Sequence, residues 1–290
     1  MLKQLSGLDT MFLYLEKKRT PLEVRSLQFY DPSTAPGGKV RFKEILATFE
    51  SRLDRAKVFK RKLLEVPFSL DHPYWVEDKD FDIEYHVRHI SLPKPGDWRQ
   101  LCILAARIHA APLRRDKPMW EMYVIEGLNN IEGYPPNCFA LLLKVHHCAM
   151  DGATGTQFMN MVHDLTPEVQ DPGKAPPWIV ERPSRARMLT RAYFDAWRKP
   201  GQTLDMLRQA GPAFMRIRRG KKEQHFKSRE DKQKTRFQGT ISRHRVVEAR
   251  KFDFEEVRAI KKAVPGATIN DAMLSIVAGG LRESLDSKGE

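Results

Sequence analysis

Two adjacent histidines, an acid and a glycine stand close together in the segment KVHHCAMDG, residues 144–152. The apolar run before them predicts a strand over 139–145, in which successive side chains face opposite sides of the sheet. His146 and His147 therefore cannot chelate one metal ion together, and no HExxH or CxxC motif supplies further ligands. An imidazole titrates near neutral pH, so a single histidine at a strand end can accept a proton from an alcohol.

Alternation gives the two histidines different surroundings. His147 falls on the face of Val145 and is the candidate general base, whereas His146 falls on the opposite face with Lys144 and is interpreted as structural. Cys148 raises the alternative of a covalent acyl-cysteine mechanism. A strand that continued through this residue would point the thiol away from His147, which argues against that alternative.

Asp151 and Gly152 mark the turn from the strand into a helix predicted over 152–165. A glycine lets that helix begin close to the candidate base. The simpler alternative is an ordinary core histidine, with Asp151 only capping the helix. The complete HHxxxDG string at a strand-to-helix junction favours the catalytic interpretation.

The motif is surrounded by a mixture of predicted strands and helices. Alternating apolar residues predict strands over 22–30, 80–90, 119–125, 138–145 and 241–250. Apolar residues recurring at three and four predict helices over 41–64, 98–113, 254–263 and 269–285. This order predicts an α/β fold, in the α+β sense of a mixed sheet, without internal repeats.

The positive charge of the chain is local. The 290 residues include 50 Lys and Arg against 37 Asp and Glu, and residues 181–250, with 20 basic and 7 acidic residues, hold the whole excess of +13. Apolar stripes at helical spacing over 188–197 and 204–217 fit helices lying in the headgroup layer of an anionic membrane. The alternative is that these stripes pack on the domain. No run reaches 18 apolar residues, which argues against a spanning helix.

Five strings together resemble a known family. HHCAMDG matches the HHxxxDG motif of the CoA-dependent acyltransferase superfamily. In chain order, LSGLDTMFLYLE, FDIEYHVRHISLPKPG, PMWEMYVIEGL and GATINDAMLSIVAGGLR are similar to strings of the bacterial wax ester synthase/acyl-CoA:diacylglycerol acyltransferase (WS/DGAT) family. The family's PLW triplet appears here as Pro118-Met119-Trp120, a change that conserves volume.

The resemblance implies a chloramphenicol-acetyltransferase-like two-layer sandwich. Family members have two similar halves, so we expect the second half to be truncated here, together with the acceptor and thioester contacts that it provides. The implied domains are an N-terminal acyltransferase domain with HHxxxDG over 1–166, a Pro-rich and basic amphipathic linker over 167–236, and the start of a C-terminal domain over 237–290.

The resemblance also implies an activity and partners. An O-acyltransferase would move a fatty acyl group from acyl-CoA, its co-substrate, to diacylglycerol or a long-chain alcohol, with no cofactor and no metal. Further partners would be an anionic membrane surface or lipid droplet. Three scattered cysteines give no disulfide framework. The implied location is therefore cytoplasmic, peripheral on the inner face of the cell membrane or on lipid inclusions.

Roles for individual residues follow from the same resemblance. His147 would be the base, and Asp151 would brace the loop through a buried basic partner. Trp120 resembles a substrate-tunnel aromatic, with a core tryptophan as the alternative. Asn270 of the ND motif is a candidate substrate contact, although its neighbours Thr268 and Asp271 are explained by helix capping. Two acids of the N-terminal motif receive little weight because surface helix acids are common: Asp9 and Glu16.

Two other classes of function stay open. The first is a catalytically inactive half that binds membranes or a partner through its basic amphipathic segment. The second is nucleic-acid binding through residues 181–236. We rank it last and expect no nucleic-acid partner, because the basic residues alternate with an apolar stripe and no RNP, zinc-finger or helix-turn-helix pattern accompanies them.

Overall fold

A computed structural model describes residues 3–17, 19–55, 57–150, 163–164, 166, 183–194, 235–239 and 241–290. The chain divides into two compact units. The first comprises Met1–Asp205 with Ser242–Val246, and the second comprises Met206–Ile241 with Val247–Glu290. The domain boundaries expected from the sequence stay predictions.

Short helices and strands alternate in the described part of the first unit. Its strands are β1 (Lys3–Gln4), β2 (Glu23–Tyr30), β3 (Arg61–Leu64), β4 (Tyr74–Glu77), β5 (Val87–Ser91), β6 (Trp120–Glu126) and β7 (Phe139–His146). Its helices are α1 (Gly7–Leu15), α2 (Phe42–Arg52), α3 (Ile83–His86) and α4 (Trp98–Ala110). Residues 185–194 are also helical. This mixture confirms the predicted fold class.

The larger sheet carries the histidine motif. Its strand order is β2-β7-β6-β5, with β5 parallel to β6 and the other neighbours antiparallel. Every residue of β7 is buried, since neighbours hydrogen-bond on both sides and apolar layers cover its faces. His146 is its last residue and is opposite Glu23 of β2. The predicted strands at β2, β6 and β7 are confirmed.

A second sheet, in the order β1-β4-β3, was not predicted. The sequence pattern over 41–64 indicated one helix, but α2 ends at Arg52 and short 3₁₀ turns lead into β3. The helical spacing beyond Arg52 is produced by turns that bury Leu53, Val58 and Phe59 in the core. The second half of that prediction is therefore wrong.

The strand predicted over 80–90 is wrong in its first half. Asp82 accepts a hydrogen bond from the Glu84 amide and begins the one-turn helix α3, so only Val87–Ser91 is a strand. Within α3, the His86 ring pairs through Nδ1 with the Trp120 carbonyl at 2.7 Å and stacks on the Trp120 ring. These contacts fix α3 against β6.

Two glycines bring the ends of β5 and β6 together. Gly96 has φ 73° and Gly127 has φ 79°, conformations that L side chains rarely adopt. A Cβ on Gly96 would lie 1.9 Å from the Gly127 carbonyl oxygen. The segments SLPKPG and IEGL therefore meet through a close backbone contact between Gly96 and Gly127. Directly after it, Asp97 caps α4 by accepting from the Gln100 amide at 2.8 Å.

The second unit contains a pair of helices, α5 (Phe254–Lys262) and α6 (Ile269–Asp286), as predicted. Asp253 caps α5 and Thr268 caps α6, the latter in a capping box with Asp271. Residues 241–250 carry no strand, contrary to prediction. The alternation there does not reflect a half-buried strand, because no neighbouring strand pairs with these mostly exposed residues in the described part of the chain.

Several predicted segments lie wholly or largely outside the described residues. They are the helix over 152–165, most of the linker over 167–236 and the apolar stripe over 204–217. Of the stripe over 188–197, residues 188–194 are described. None of the helices in the described part of the chain has the length and apolar character needed to cross a membrane.

Candidate active site

The histidine motif forms a tight turn at the end of the buried strand β7. The strand ends at His146, and His147–Ala149 form one 3₁₀ turn that the Met150 amide closes by donating to the His147 carbonyl at 3.2 Å. The strand does not continue through Cys148, as the alternation argument assumed. The two histidines therefore differ in environment because a turn separates them.

His146 is fully buried, and both of its ring nitrogens face protein groups. Nδ1 accepts a hydrogen bond from the Cys148 amide at 3.1 Å, which leaves Nε2 as the protonated nitrogen. Nε2 lies 3.3 Å from Oε1 of Glu16. Its backbone amide donates to the Met119 carbonyl at 3.0 Å. This ring is held in place by the fold and has no face open to a substrate.

Glu16 connects the end of α1 to the motif. Besides its contact with His146, its carboxylate accepts from the Arg115 guanidinium at 2.8 Å and from the Leu22 amide at 3.3 Å. Burial alone would raise the pKa of Glu16, but the hydrogen bonds from His146 and Arg115 outweigh burial and lower the pKa to about 2. Glu16 is therefore a half-buried anion beside the motif, not an ordinary surface acid.

His147 is half-buried and lies against α1. Its ring stacks on the Phe12 ring with a centroid distance of 4.9 Å and an angle of 17°. Its backbone amide donates to the Leu22 carbonyl at 3.0 Å. Leu22 thus bonds to Glu16 through its amide and to His147 through its carbonyl. Of the two motif histidines, His147 is the one that is partly exposed to solvent, and its backbone is fixed by the bond to Leu22.

The environment of Cys148 does not favour a nucleophilic thiolate. Its side chain is buried, and Sγ lies 3.5 Å from Sδ of Met119. Burial raises the pKa of this thiol well above its ordinary value. The thiolate is the nucleophilic form of cysteine, so this environment disfavours the acyl-cysteine alternative.

Arg61 on β3 reaches the same turn. Its guanidinium donates to the Ala149 carbonyl at 3.2 Å and lies 4.3 Å above the Trp75 ring. This contact places a half-buried guanidinium beside Ala149, which precedes Asp151 by two residues. Asp151 and Gly152 themselves lie outside the described residues. The contact between Arg61 and the turn joins the smaller sheet to the motif.

Trp120 lies in the core, 1% exposed. Its Nε1 donates to the Phe59 carbonyl at 2.9 Å, and its ring packs edge-on against the Phe59 ring. These contacts favour the alternative of a core tryptophan, and its role in a substrate tunnel stays a prediction. Asn270 is exposed near the start of α6, in the second unit. Its substrate contact also stays a prediction.

Buried charges lie beside the motif on the face that His146 shares. Lys144 is fully buried, and its Nζ donates to the Ala111 carbonyl at 2.5 Å and lies 3.6 Å from Glu23 and 4.0 Å from Glu121. Burial lowers the pKa of Lys144, and the two glutamates oppose that shift only in part. Glu23 also accepts from the Leu113 amide at 3.0 Å. The cluster ties β7 to the chain that follows α4.

Sequence reasoning undervalued the residues that hold the motif. Asp9 lies in the first turn of α1, where its amide donates to Ser6 Oγ at 3.1 Å. Glu16 received as little weight as Asp9, although it contacts His146. Arg115 and Arg61 were not singled out. Only the position of Glu16 at the end of an apolar helix motif could have indicated burial.

Comparison with known proteins places this arrangement in a family. Residues 5–273 match the wax ester synthase/diacylglycerol acyltransferase catalytic domain. This chain belongs to that family. A solved WS/DGAT from Marinobacter aquaeolei VT8 is 25% identical, with a TM-score of 0.61, and the similarity covers 99% of this chain and 61% of that one. The predicted resemblance and its fold are confirmed.

Curated members of the WS/DGAT family are similar over nearly the whole of this chain. A putative diacylglycerol O-acyltransferase of Mycobacterium tuberculosis is 32% identical over 294 residues, covering 99% of this chain and 56% of the relative. The O-acyltransferase WSD of Acinetobacter baylyi is 31% identical over 298 residues, covering 99% and 60%. The chain therefore spans somewhat more than half the length of these relatives.

Proposed function

We propose that this WS/DGAT chain carries the catalytic base of an O-acyltransferase that moves a fatty acyl group from acyl-CoA to diacylglycerol or a long-chain alcohol. Family membership and the names of the curated relatives support the reaction type. The observation that most directly supports this proposal is the difference in environment between the rings of His146 and His147. His146 has both ring nitrogens directed at protein groups, whereas the His147 ring is half-buried on Phe12.

The chemistry follows from that position. His147 accepts the hydroxyl proton of the acceptor as its oxygen attacks the thioester carbonyl of acyl-CoA. The carbon–sulfur bond then breaks, and the imidazolium returns the proton to the departing CoA thiolate. The products are an ester and CoA, and His147 regains its starting protonation state. In this scheme His146 and Glu16 orient the turn and do not touch substrate.

Asp151 and Gly152 keep the roles that the family resemblance gives them. Gly152 would allow a close helix start, and Asp151 would brace the loop through a basic partner. We propose Arg61 as that partner, since it already holds the Ala149 carbonyl at 3.2 Å. Trp120 and Asn270 remain candidate substrate contacts within the same proposal.

The proposed partners and location follow from the substrates. Acyl-CoA is the donor, and a hydrophobic acceptor lies in a membrane or a lipid inclusion. We propose that the chain acts at an anionic membrane surface or lipid droplet on the cytoplasmic side. The local charge excess of residues 181–250 supports this proposal. An inactive membrane-binding half is the alternative, and the transfer assay below separates the two.

The test is transfer of a labelled acyl group from acyl-CoA to hexadecanol or diacylglycerol. The chain is assayed alone and together with the remaining C-terminal part of the Acinetobacter baylyi relative. His147→Ala should lower turnover by on the order of 10²-fold or more. His89→Ala is the matched control, because this half-exposed histidine of β5 pairs with Glu126 at 3.0 Å, away from the motif.

Three results would contradict the proposal. Retained turnover in folded His147→Ala would exclude His147 as the base. Equal losses in folded His146→Ala and His147→Ala would contradict separate roles for the two histidines. Absence of transfer in both assay formats would favour the inactive alternative.

A further inference from the structure

The turn between β3 and β4 holds an aromatic ring in solvent. Phe68 and Ser69 have φ values of 57° and 53°, in the left-handed region. Phe68 is 88% exposed. A bulky side chain is disfavoured in this backbone region, where glycine or asparagine is the ordinary choice. A ring so exposed gains little packing within the described chain to offset that strain, and this combination points to a contact outside the described chain.

The same turn forms one wall of a groove of about 740 Å³. The helical residues 185–194 form the other wall. Phe68 and Leu189 line the groove from its two sides, and its charged lining residues are Glu65 and Arg185. Apart from Glu65, Ser69 and Arg185, the residues that line the groove are apolar.

The helix beside the groove is held by its small apolar face. Met188 and Ala192 are buried against Val66 and Tyr74 of the first unit. For the described residues, the apolar stripe thus packs on the domain, which was the alternative to insertion into a membrane. Any partner that binds the exposed side of this helix therefore contacts side chains other than Met188 and Ala192.

The outer face of that helix is cationic and aromatic. Arg185 and Arg187 are exposed, and no acid occurs in residues 183–194. Arg191 is exposed as well, but its guanidinium lies 5.7 Å from the ring centroid of the buried Tyr74. Tyr193 and Phe194, at the end of the described helix, are 60% and 62% exposed. Exposed aromatic rings beside arginines match the boundary of a bilayer with anionic headgroups, where rings enter the acyl region and cations meet phosphates.

We propose that these residues form a docking surface for an anionic lipid bilayer, which we call the Phe68 surface. It comprises the turn Pro67–Leu70 and the outer face of helical residues 185–194. Phe68 and the exposed Leu70 insert at the headgroup boundary. The arginines bind lipid phosphates, and the groove between the two walls accommodates apolar parts of the lipid.

Helix α1 connects the Phe68 surface to the candidate base. Tyr14 lines a small cleft with Ser69 and Asp71, while Phe12, two residues earlier, stacks on His147. A bilayer on this surface would therefore lie within one helix of the site that needs a hydrophobic acceptor. That significance rests on the proposed function, but docking itself can be measured without acyl transfer.

The experiment uses the full chain and two kinds of vesicle, phosphatidylcholine alone and an equal mixture of phosphatidylcholine and phosphatidylglycerol. Co-sedimentation should show binding to the mixed vesicles that weakens with salt. Phe68→Gly should lower the partition coefficient about tenfold, because one buried aromatic ring is lost. Its thermal midpoint should be unchanged or higher, since glycine adopts the positive φ without strain.

Two further variants separate the contributions of rings and charges. Phe237→Gly removes another exposed ring, 54% exposed and in the second unit, and should leave binding unchanged. Changing Arg185 and Arg187 to Gln should reduce the preference for mixed vesicles by about fivefold per charge. Phe68→Gly in that background should still weaken the remaining binding.

The proposal is overturned if the chain does not bind the mixed vesicles, or if Phe68→Gly binds them as the unchanged chain does. It is also overturned if the chain binds duplex DNA more tightly than mixed vesicles at the same salt, with no effect of Phe68→Gly. Vesicle binding that persists in a chain without transfer activity would instead count against the proposed function alone.

Discussion

Replacing Glu16 with glutamine tests whether the half-buried carboxylate stabilises the end of β7. Hydrogen bonds from His146 and Arg115 lower its pKa from 4.5 to about 2 despite burial. At ~1.4 kcal/mol per pKa unit, this shift sets an upper limit of about 3 kcal/mol, which solvent screening reduces. We expect Glu16→Gln to lower the free energy of unfolding at pH 7 by about 2 kcal/mol.

The pH dependence gives this prediction its sign. The folded-state pKa of Glu16 is depressed, so its contribution to stability is complete above the unfolded value of 4.5. The contribution is lost as the pH falls toward the folded value of about 2. The difference in stability between the unchanged chain and Glu16→Gln should therefore shrink over this range.

Tryptophan fluorescence during urea unfolding is the assay. The tryptophans of the described residues lie in the first unit and report on that unit: Trp75, Trp98 and Trp120. The control is Glu132→Gln, at an exposed glutamate, which should change stability by less than about 0.5 kcal/mol. A loss in Glu16→Gln no larger than this control, or a loss independent of pH, would refute the reasoning.

Three further predictions address other parts of the first unit. Lys144→Met should lower the free energy of unfolding by about 3–5 kcal/mol in urea titration, because two buried glutamates lose their shared cation; no measurable loss would contradict this. Gly96→Ala should abolish the native thermal transition, since its Cβ would lie 1.9 Å from the Gly127 oxygen; a native-like transition would show that the turn adapts. Cys148→Ala should keep acyl transfer, since burial raises the pKa of this thiol; loss of transfer in the folded variant would restore the covalent mechanism.

The central strands could be predicted from the sequence because their burial is complete. β7 and β6 are short, mostly apolar segments that are buried almost throughout, which is the pattern of a strand with neighbours on both sides. The strand β2 was equally accessible, since it pairs with β7 along its whole length. The motif begins at the last residue of β7, so its placement at a strand end was predicted together with that strand.

Periodicity failed where short turns imitate longer elements. Leu53 and Phe59 continue the helical spacing of α2, but they are buried from two separate 3₁₀ turns. Over 80–90, the alternating pattern includes a helical turn that Asp82 caps. In both segments the apolar side chains are placed by the core, and several backbone paths satisfy the same spacing. Sequence spacing alone does not distinguish these paths.

The site shows the same limit more sharply. Alternation separated His146 from His147, but it assumed a strand through Cys148, and the separation is produced by a turn. The carboxylate beside His146 belongs to Glu16, which lies 130 residues earlier in the chain. No local pattern encodes that distance, because only the antiparallel pairing of β2 with β7 brings the two segments together. The two adjacent histidines therefore differ because of the tertiary structure, which buries the ring of His146 and leaves His147 partly exposed.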